Sequence, residues 1–233
     1  VVYQPTVDQT LKVNYKTKNK QPSTAQIALA PIYSPKPTVN YRHQEPHFAD
    51  FNAQPLLPHK HSQLGPSLCV GDVNQDGLDD FYVGGAFNQS GRLFLQQPNG
   101  QFLGQELEPP AVASEEVGSL FFDKDQDGDL DLYVASGSSE FPENAPFYQD
   151  RLYQNDGKGV FTLDQAGLPN MKTSTGTVVA ADFDQDGDED LFVGGRLSPQ
   201  NYPQAPKSYL LENRDGQFID VTMEKAPNLD TYG

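Results

Sequence analysis

The chain has little of three features that define other classes of protein. It has one cysteine, Cys69, so no internal disulfide can form, and its apolar neighbours in SLCVG (67–71) predict a small packed side chain. No apolar run reaches the ~20 residues that span a bilayer. Only 16 lysines and arginines stand against 32 aspartates and glutamates. The missing apolar run argues against direct membrane insertion, and the acidic balance argues against binding to nucleic acid or to an anionic membrane surface, both of which attract basic proteins.

What the chain has instead is an acidic nine-residue segment that occurs three times. The copies are DVNQDGLDD (72–80), DKDQDGDLD (123–131) and DFDQDGDED (182–190), named acidic loops 1, 2 and 3. Each has an oxygen-bearing side chain at positions 1, 3, 5 and 9 and glycine at position 6. This spacing is typical of a backbone that wraps around a hard cation, because alternate residues point inward and glycine allows the sharp turn. The sequence therefore predicts about three Ca²⁺ ions per chain.

The acidity of the chain is concentrated in these loops. They carry formal charges of −4, −4 and −6, which leaves −2 of the total of −16 for all other residues. Carboxylates ~4 Å apart repel each other by about 1 kcal/mol per pair even in water. We therefore expect each loop to loosen without a cation. The alternative is that the loops are acidic, solvated turns, since Asp and Gly are common turn residues.

The residues around the loops predict strands rather than helices. An EF-hand needs a glutamate at position 12 and flanking helices, but position 12 is valine in all three copies: Val83, Val134 and Val193. The segments that leave the loops are rich in β-branched and aromatic residues, namely FYVGG (81–85), LYVASG (132–137) and LFVGG (191–195). Each acidic loop is therefore expected to join two strands, which excludes the EF-hand.

The repeat continues beyond the loops with a hairpin. Each copy has a further apolar strand and a glycine turn, in RLFLQQPNGQF (92–102), RLYQNDGKGVF (151–161) and SYLLENRDGQF (208–218). The loops start 51 and 59 residues apart, and insertions at 136–150 and 195–207 lengthen the period. Four strands per repeat of this length indicate an all-β fold, the β-propeller. Three four-stranded blades are recognisable, at about 64–115, 116–174 and 175–233, which makes a partial propeller.

This combination of aspartate loop, YVGG-type strand and LYQNDGKGVF-type hairpin resembles the FG-GAP/VCBS repeats of integrin-like β-propeller proteins over about residues 64–222. The resemblance implies calcium between the first two strands of each blade and a secreted or cell-surface protein. The lead-in LLPHKHSQLGPSL (56–68) resembles large bacterial surface proteins that join such propellers to an ASPIC/UnbV-type segment. That narrower resemblance implies association with a bacterial outer membrane.

The family pattern also implies a set of calcium ligands. The side-chain ligands would be Asp72, Asn74, Asp76 and Asp80 in loop 1, Asp123, Asp125, Asp127 and Asp131 in loop 2, and Asp182, Asp184, Asp186 and Asp190 in loop 3. Backbone oxygens at position 7 would come from Leu78, Asp129 and Asp188. Loop 1 departs from the pattern, because the neutral Asn74 replaces a carboxylate. We therefore expect loop 1 to bind calcium more weakly.

The remaining segments predict the domain organisation. Residues 1–20 alternate like the end of a preceding β module, and residues 21–63 form an extended, proline-rich connector and lead-in. Propellers typically close with four to eight blades. We therefore expect the remaining blades of the same longer protein as partners, or, as the alternative, closure by other copies of this chain.

All four histidines lie in one window of the lead-in. They are His43, His47, His59 and His61, with Glu45 and Asp50 nearby. Histidine is the commonest metal ligand, so a metal or catalytic role is one interpretation. The spacing fits no defined motif, and the other interpretation is a structural loop.

No catalytic constellation and no organic cofactor site is recognisable in the sequence. A calcium-bound carboxylate stays ionised, whereas a general acid needs a raised pKa. The predicted function is therefore non-enzymatic: a calcium-stabilised module for adhesion or for binding a glycan or protein ligand. Its ligand contacts are expected at the two insertions, with the aromatic candidates Phe141, Phe147, Tyr148, Tyr202 and Tyr209. The alternatives are a propeller-fold carbohydrate-active enzyme and a structural component of a surface or secretion assembly.

Overall fold

The computed structural model of the protein describes residues 39–107 and 113–229. The predicted end of a preceding β module (1–20) and the first part of the predicted connector (21–38) lie outside the described residues. The described helices are single turns, at Asp50–Ala53 (α1) and Thr222–Lys225 (α2), with a 3-10 turn at Pro146–Tyr148. Nearly all regular structure in this part of the chain is therefore β-strand.

Twelve strands in the described residues form three antiparallel four-stranded sheets. Sheet 1 consists of β1 (Leu68–Gly71), β2 (Asp80–Val83), β3 (Arg92–Gln96) and β4 (Phe102–Glu106). Sheet 2 consists of β5 (Glu116–Phe122), β6 (Asp131–Ser136), β7 (Arg151–Asn155) and β8 (Phe161–Leu163). Sheet 3 consists of β9 (Ser174–Ala181), β10 (Asp190–Leu197), β11 (Tyr209–Arg214) and β12 (Gln217–Asp220). Each sheet follows chain order, as in a propeller blade, and the three sheets do not close. The predicted partial β-propeller is confirmed.

Turn chemistry explains the hairpin between the third and fourth strands of sheet 3. In sheet 3, Arg214 pairs with Gln217, so that only Asp215 and Gly216 form the turn. Their φ values are 54° and 80°. Two consecutive residues with positive φ make the turn whose twist matches that of antiparallel strands, and the Asp-Gly dipeptide favours it. The hairpins predicted in sheets 1 and 2 also form, but their paired ends, Gln96 with Phe102 and Asn155 with Phe161, leave longer loops than a dipeptide turn.

The sheets pack face to face, with sheet 2 in the middle. β5 contacts both β1 and β9, so the first strands of successive sheets are neighbours. In β6, Leu132 and Val134 belong to a buried cluster shared with sheet 1, whereas Tyr133 and Ala135 belong to a cluster shared with sheet 3. Successive side chains of a strand point to opposite faces. All of β6 is buried because neighbouring sheets cover both of its faces.

This topology separates the acidic loops from the insertions. In each sheet the acidic loop joins the first strand to the second, and the segment after the second strand begins at the other end of that strand. The acidic loops therefore lie at one end of the sheets, and the insertions 136–150 and 195–207 lie at the opposite end.

Candidate functional site

The backbone of each acidic loop has the same turn. The glutamine at position 4 and the glycine at position 6 both have positive φ, with values of 58°, 59° and 66° for glutamine and 83°, 90° and 105° for glycine. An added Cβ on any of these three glycines would meet no atom within 4 Å. Glycine is therefore favoured here by the backbone conformation and not by lack of space. In loop 3 the turn brings carboxylates from both ends of the loop together, since Asp182 and Asp190 belong to one group.

Acidic loop 2 gathers three carboxylates at one point. Asp123, Asp125 and Asp127 each place a carboxylate oxygen within 4.8 Å of the others. The Oδ2 atom of Asp123 accepts a hydrogen bond from Gly128 N at 3.1 Å, whereas its buried Oδ1 atom forms no hydrogen bond. A buried carboxylate oxygen without a partner costs free energy. A cation of the calcium type fits this donor set, because calcium prefers carboxylate oxygens.

Acidic loop 3 forms a similar group. Asp182, Asp184 and Asp190 place carboxylate oxygens within 4.8 Å of one another. The position-7 aspartates of loops 2 and 3, Asp129 and Asp188, each have a buried Oδ1 atom without a hydrogen bond. Burial, followed by repulsion from the neighbouring position-5 carboxylate, raises the pKa of each to about 6. Both loops thus concentrate negative charge that a divalent cation would offset.

Acidic loop 1 is arranged differently. Both carboxylate oxygens of Asp72 accept backbone hydrogen bonds, Oδ1 from Asp76 N at 3.1 Å and Oδ2 from Gly77 N at 2.8 Å. Asn74 Oδ1 also accepts from Asp76 N, at 3.1 Å. Loop 1, which the structure describes throughout, brings no three carboxylates together. Its weaker calcium affinity stays a prediction.

The position-9 aspartates have a second role that sequence reasoning missed. Asp80, Asp131 and Asp190 are buried, and both oxygens of each carboxylate accept backbone N–H groups. In loop 2, Asp131 Oδ2 accepts from Lys124 N at 3.2 Å and Oδ1 from Asn155 N at 2.9 Å. The bonds of Asp80 and Asp190 are equivalent. These carboxylates fasten each loop to the third strand of its sheet, whether or not they also bind a cation.

Two further side-chain types connect successive loops. At position 4, Gln75 Nε2 donates to Gly128 O of loop 2 at 3.1 Å, and Gln126 Nε2 donates to Gly187 O of loop 3 at 2.6 Å. Asn155, at the end of β7, donates through Nδ2 to Val73 O at 2.7 Å and to Leu130 O at 3.0 Å. Glutamine occurs at position 4 in all three loops. This repetition at a position that binds no cation was the sequence signal for a role between loops.

Asn213, at the end of β11, repeats this arrangement one sheet later. Its Nδ2 atom donates to Lys124 O of loop 2 at 2.7 Å and to Glu189 O of loop 3 at 3.1 Å. Each of the two asparagines therefore holds position 2 of one loop and position 8 of the next.

The four histidines do not converge on one centre. His43 Nε2 lies 3.0 Å from Glu45 Oε1, and the rings of His59 and His61 stack with their centroids 4.5 Å apart. No group of three close metal-ligating side chains in residues 39–107 and 113–229 includes a histidine. Asp50 instead has a structural role. Its buried carboxylate accepts bonds from the backbone of His61, from Ser62 and from Ser139.

The aromatic candidates near the insertions fall into three groups. Phe141 and Tyr148 pack against each other, and Tyr148 Oη bonds to the Phe141 backbone at 2.9 and 3.0 Å. Phe147 and Tyr202 are partly exposed. Tyr209 is buried and contributes to the wall of a cleft.

This cleft of about 430 Å³ lies where the two insertions meet. Glu143 of the first insertion accepts hydrogen bonds from Ser198 Oγ at 3.2 Å and from Asn201 Nδ2 at 2.8 Å in the second. Thr173 Oγ1 and Tyr209 Oη are 2.6 Å apart, and Lys207 Nζ lies 4.4 Å from the centre of the Tyr209 ring. The cleft is therefore polar and held by contacts between two sheets.

None of the helices in the described part of the chain is long and apolar enough to cross a membrane.

Comparison with known proteins identifies the class of repeat. Residues 72–134 and 123–193 match the family of FG-GAP-like repeats, which together is more than half of the chain. The chain belongs to this family.

Integrin alpha-7 is a similar curated protein. The rat (Rattus norvegicus) sequence is 37% identical over 94 residues, and the human (Homo sapiens) sequence is 36% identical over the same length. These matches cover 40% of this chain and only 8% of each integrin.

Two solved structures superpose in part. One belongs to a study of recognition of non-reducing terminal N-acetylglucosamine by an Agrocybe aegerita lectin, with 17% identity, a TM-score of 0.40, and coverage of 64% of this chain and 36% of that chain. The other is a Xanthomonas protein related to a type IV secretion system, with 12% identity, a TM-score of 0.27, and coverage of 67% and 99%.

Proposed function

We propose that this chain is part of an extracellular, calcium-stabilised β-propeller that serves adhesion or ligand binding. The observation that carries the proposal is acidic loop 2, where three carboxylates converge and the buried Asp123 Oδ1 atom forms no hydrogen bond. The ligands would be the fifteen residues at positions 1, 3, 5, 7 and 9 of the three loops. Blade boundaries near 64–115, 116–174 and 175–233, and the remaining blades as partners in a longer protein, belong to the same proposal.

Calcium in this arrangement would have a structural role. When bound, the ion supplies positive charge between carboxylates that otherwise repel one another. If a site binds with a Kd near ~10 μM and free calcium is ~1 mM, binding contributes about 2.7 kcal/mol per site. This is large beside a folding free energy of about 5–15 kcal/mol. Extracellular calcium would therefore hold the loops, and with them the end of each sheet, in one conformation.

The test is thermal unfolding at millimolar calcium and in EDTA, with bound metal counted by elemental analysis. We expect a fall in unfolding temperature of many degrees in EDTA and about three ions per chain. A matched pair of variants in loop 1 separates coordination from charge. Asp76→Ala removes a ligand and one negative charge, whereas Asp79→Ala removes one negative charge at the exposed position 8, which is not a ligand position. Absence of bound calcium, or equal effects of the two variants on its affinity, would refute the proposal.

For the ligand, we propose the cleft between the two insertions. Its volume of about 430 Å³ lies within the range of about 300–1,000 Å³ of small-molecule sites. Its wall offers the polar groups of Lys172, Thr173 and Gln204 beside the Tyr209 ring. Such a wall favours a hydrophilic ligand, such as a saccharide unit, over an apolar one.

The cleft favours binding over hydrolysis. Glu143 is the one carboxylate among the described residues that line it. Glycoside hydrolysis usually requires two carboxylates about 5–10 Å apart. This supports a binding module rather than the alternative of a carbohydrate-active enzyme.

A glycan array with three proteins tests the assignment. The wild-type chain should retain saccharides, Lys172→Ala should retain fewer, and Lys158→Ala should behave like the wild type. Lys158 is exposed in the β7–β8 hairpin, at the opposite end of the sheet. Turnover of a bound glycan would favour the enzyme instead. Loss of binding in both variants would place the ligand elsewhere or make the attraction one of general charge.

A further inference from the structure

We propose that the acidic loops bind calcium cooperatively, because side chains outside the ligand positions connect each loop to the next. The inference rests on the proposed function, since it concerns the same three loops. It goes beyond that function because the spacing of ligands within one loop says nothing about how binding in one loop affects another.

The first connection is the glutamine at position 4. Gln75 and Gln126 do not occupy ligand positions, so their side chains are available for other contacts. Each donates to the carbonyl of the position-6 glycine in the following loop, at 3.1 Å to Gly128 and 2.6 Å to Gly187. That glycine lies between ligand positions 5 and 7. Its carbonyl is therefore held in place when those two positions bind a cation.

The second connection is the asparagine at the end of the third strand. Asn155 and Asn213 are buried, 4% and 1% exposed. Each uses one amide group to hold two loops: position 2 of the preceding loop at 2.7 Å and position 8 of its own at 3.0–3.1 Å. Both carbonyls are directly adjacent to ligand positions. A change in the path of one loop therefore moves a bond that the next loop shares.

The physical basis of the coupling is conformational entropy. A loop of self-repelling carboxylates samples several conformations, and the first cation restricts them. The ordered loop then presents a fixed acceptor to the glutamine of its neighbour, so the neighbour loses less entropy when it binds its own cation. Coupling between two sites is reciprocal, and its usual size is about a 5- to 150-fold change in affinity.

The chain contains its own control for this inference. Gln185 occupies position 4 of loop 3 with a φ of 66°, close to the 59° of Gln126. Its backbone N donates to Asp182 Oδ1 within loop 3, but its side chain bonds to no other described residue. Replacing Gln185 therefore changes the same residue type in the same turn without removing a described bond between loops.

The experiment is calorimetric titration of calcium into four forms of the chain: wild type, Asp184→Asn, Gln126→Met and the double variant. Asp184→Asn weakens loop 3 by replacing a charged ligand with a neutral one, as Asn74 does at the same position of loop 1. In the wild-type background we expect it to lower the affinity of the remaining sites at least fivefold, although it does not contact them. With Gln126→Met, which keeps the side-chain length but not the amide donor, this effect should fall by at least half, because the Asn213 connection between loops 2 and 3 remains. Gln185→Met should leave it unchanged.

The outcomes separate this inference from the proposed function. If no form binds calcium, the proposed function fails. If calcium binds but Asp184→Asn affects only its own site, the loops are independent and the coupling is refuted. If Gln126→Met and Gln185→Met act alike, the position-4 glutamine does not carry the coupling, and that connection is refuted. If Gln126→Met does not fold, the pair formed by Gln75→Met and Asp123→Asn asks the same question of loops 1 and 2.

Discussion

Arg151 and Glu116 form a buried ion pair, with 2.9 Å between Arg151 Nη2 and Glu116 Oε1. The other oxygen of the carboxylate accepts the hydroxyl of Tyr82 and the backbone N of Gly85, both at 2.6 Å. The glutamate lies on β5, whereas Tyr82 and Gly85 belong to the preceding repeat. The Glu116 carboxylate thus joins sheet 1 to sheet 2 through hydrogen bonds and an ion pair. These add to the apolar contacts between the two sheets.

We therefore predict that Arg151→Met lowers the free energy of unfolding by about 3–5 kcal/mol, because Glu116 would remain buried without its partner charge. Arg92→Met is the control. Arg92 pairs with Glu106 at the same distance of 2.9 Å, but its side chain is 36% exposed, and that of Glu106 is 49% exposed. Exposed pairs contribute about 0–1 kcal/mol. Urea unfolding measures both values, and similar losses in the two variants would contradict a special role for the buried pair.

A second prediction concerns Glu115, which neighbours that pair in sequence. Its side chain is buried, and its Oε1 atom forms no hydrogen bond. Burial, followed by repulsion from Glu140, Glu45 and Asp50, raises the pKa of Glu115 from 4.5 to about 8. Between these two pH values the folded chain keeps a proton that the unfolded chain loses. The stability linked to this group is therefore full below pH 4.5 and is lost as the pH rises to about 8.

Glu115→Gln should remove this dependence, because glutamine resembles the protonated acid. One pKa unit corresponds to about 1.4 kcal/mol. Between pH 5 and pH 8 the free energy of unfolding of the wild type should therefore fall further than that of the variant. We expect a difference on the order of 2 kcal/mol, after allowance for screening by solvent. Urea unfolding at the two pH values gives this difference, with the exposed Glu224→Gln as a control. A variant that follows the wild-type profile would show that Glu115 is ionised in the folded chain.

A third prediction separates the two roles of the aspartates in acidic loop 2. Asp131→Asn removes an acceptor from one of two backbone N–H groups and should cost about 1–3 kcal/mol in EDTA as well as in calcium. Asp127→Asn affects an exposed ligand position whose described hydrogen bond, from Asp129 N to its Oδ1 atom, stays within the loop. Its cost in free energy of unfolding should be large in calcium and close to zero in EDTA. Thermal unfolding of both variants in the two buffers is the measurement, and a cost of Asp131→Asn that disappears in EDTA would make Asp131 a calcium ligand alone.

A fourth prediction concerns the link across the cleft. Glu143→Ala removes the acceptor of Ser198 and Asn201, and thereby the described hydrogen bonds between the two insertions. These bonds are near the surface, so the global loss of stability should stay below about 1 kcal/mol. Amide hydrogen exchange in residues 195–207 should nevertheless increase. Unchanged exchange there would mean that other contacts hold the second insertion in place.

Much of this architecture is predictable because its signals are local. The spacing of aspartates within nine residues predicts the acidic loops, and dipeptides such as Asp215-Gly216 predict hairpins through their backbone preferences. The contacts between repeats are harder to predict, because nothing near Gln126 in sequence indicates that its partner is Gly187. The histidine window shows the opposite case. Four similar residues lie close in sequence, but His59 and His61 stack on each other whereas His43 pairs with Glu45, so they form no common centre.

The sequence by itself determined the repeat, the strands and the place of each acidic loop, since alternation, turn residues and charge spacing act over a few residues. Only the tertiary structure decided which carboxylates have architectural partners. Asp131 and Asp127 are both aspartates of one loop, but Asp131 is buried against the N–H groups of Lys124 and Asn155, whereas Asp127 is exposed. The physical reason is that burial and hydrogen bonding depend on which strand lies alongside, and packing of the whole sheet brings that strand into place.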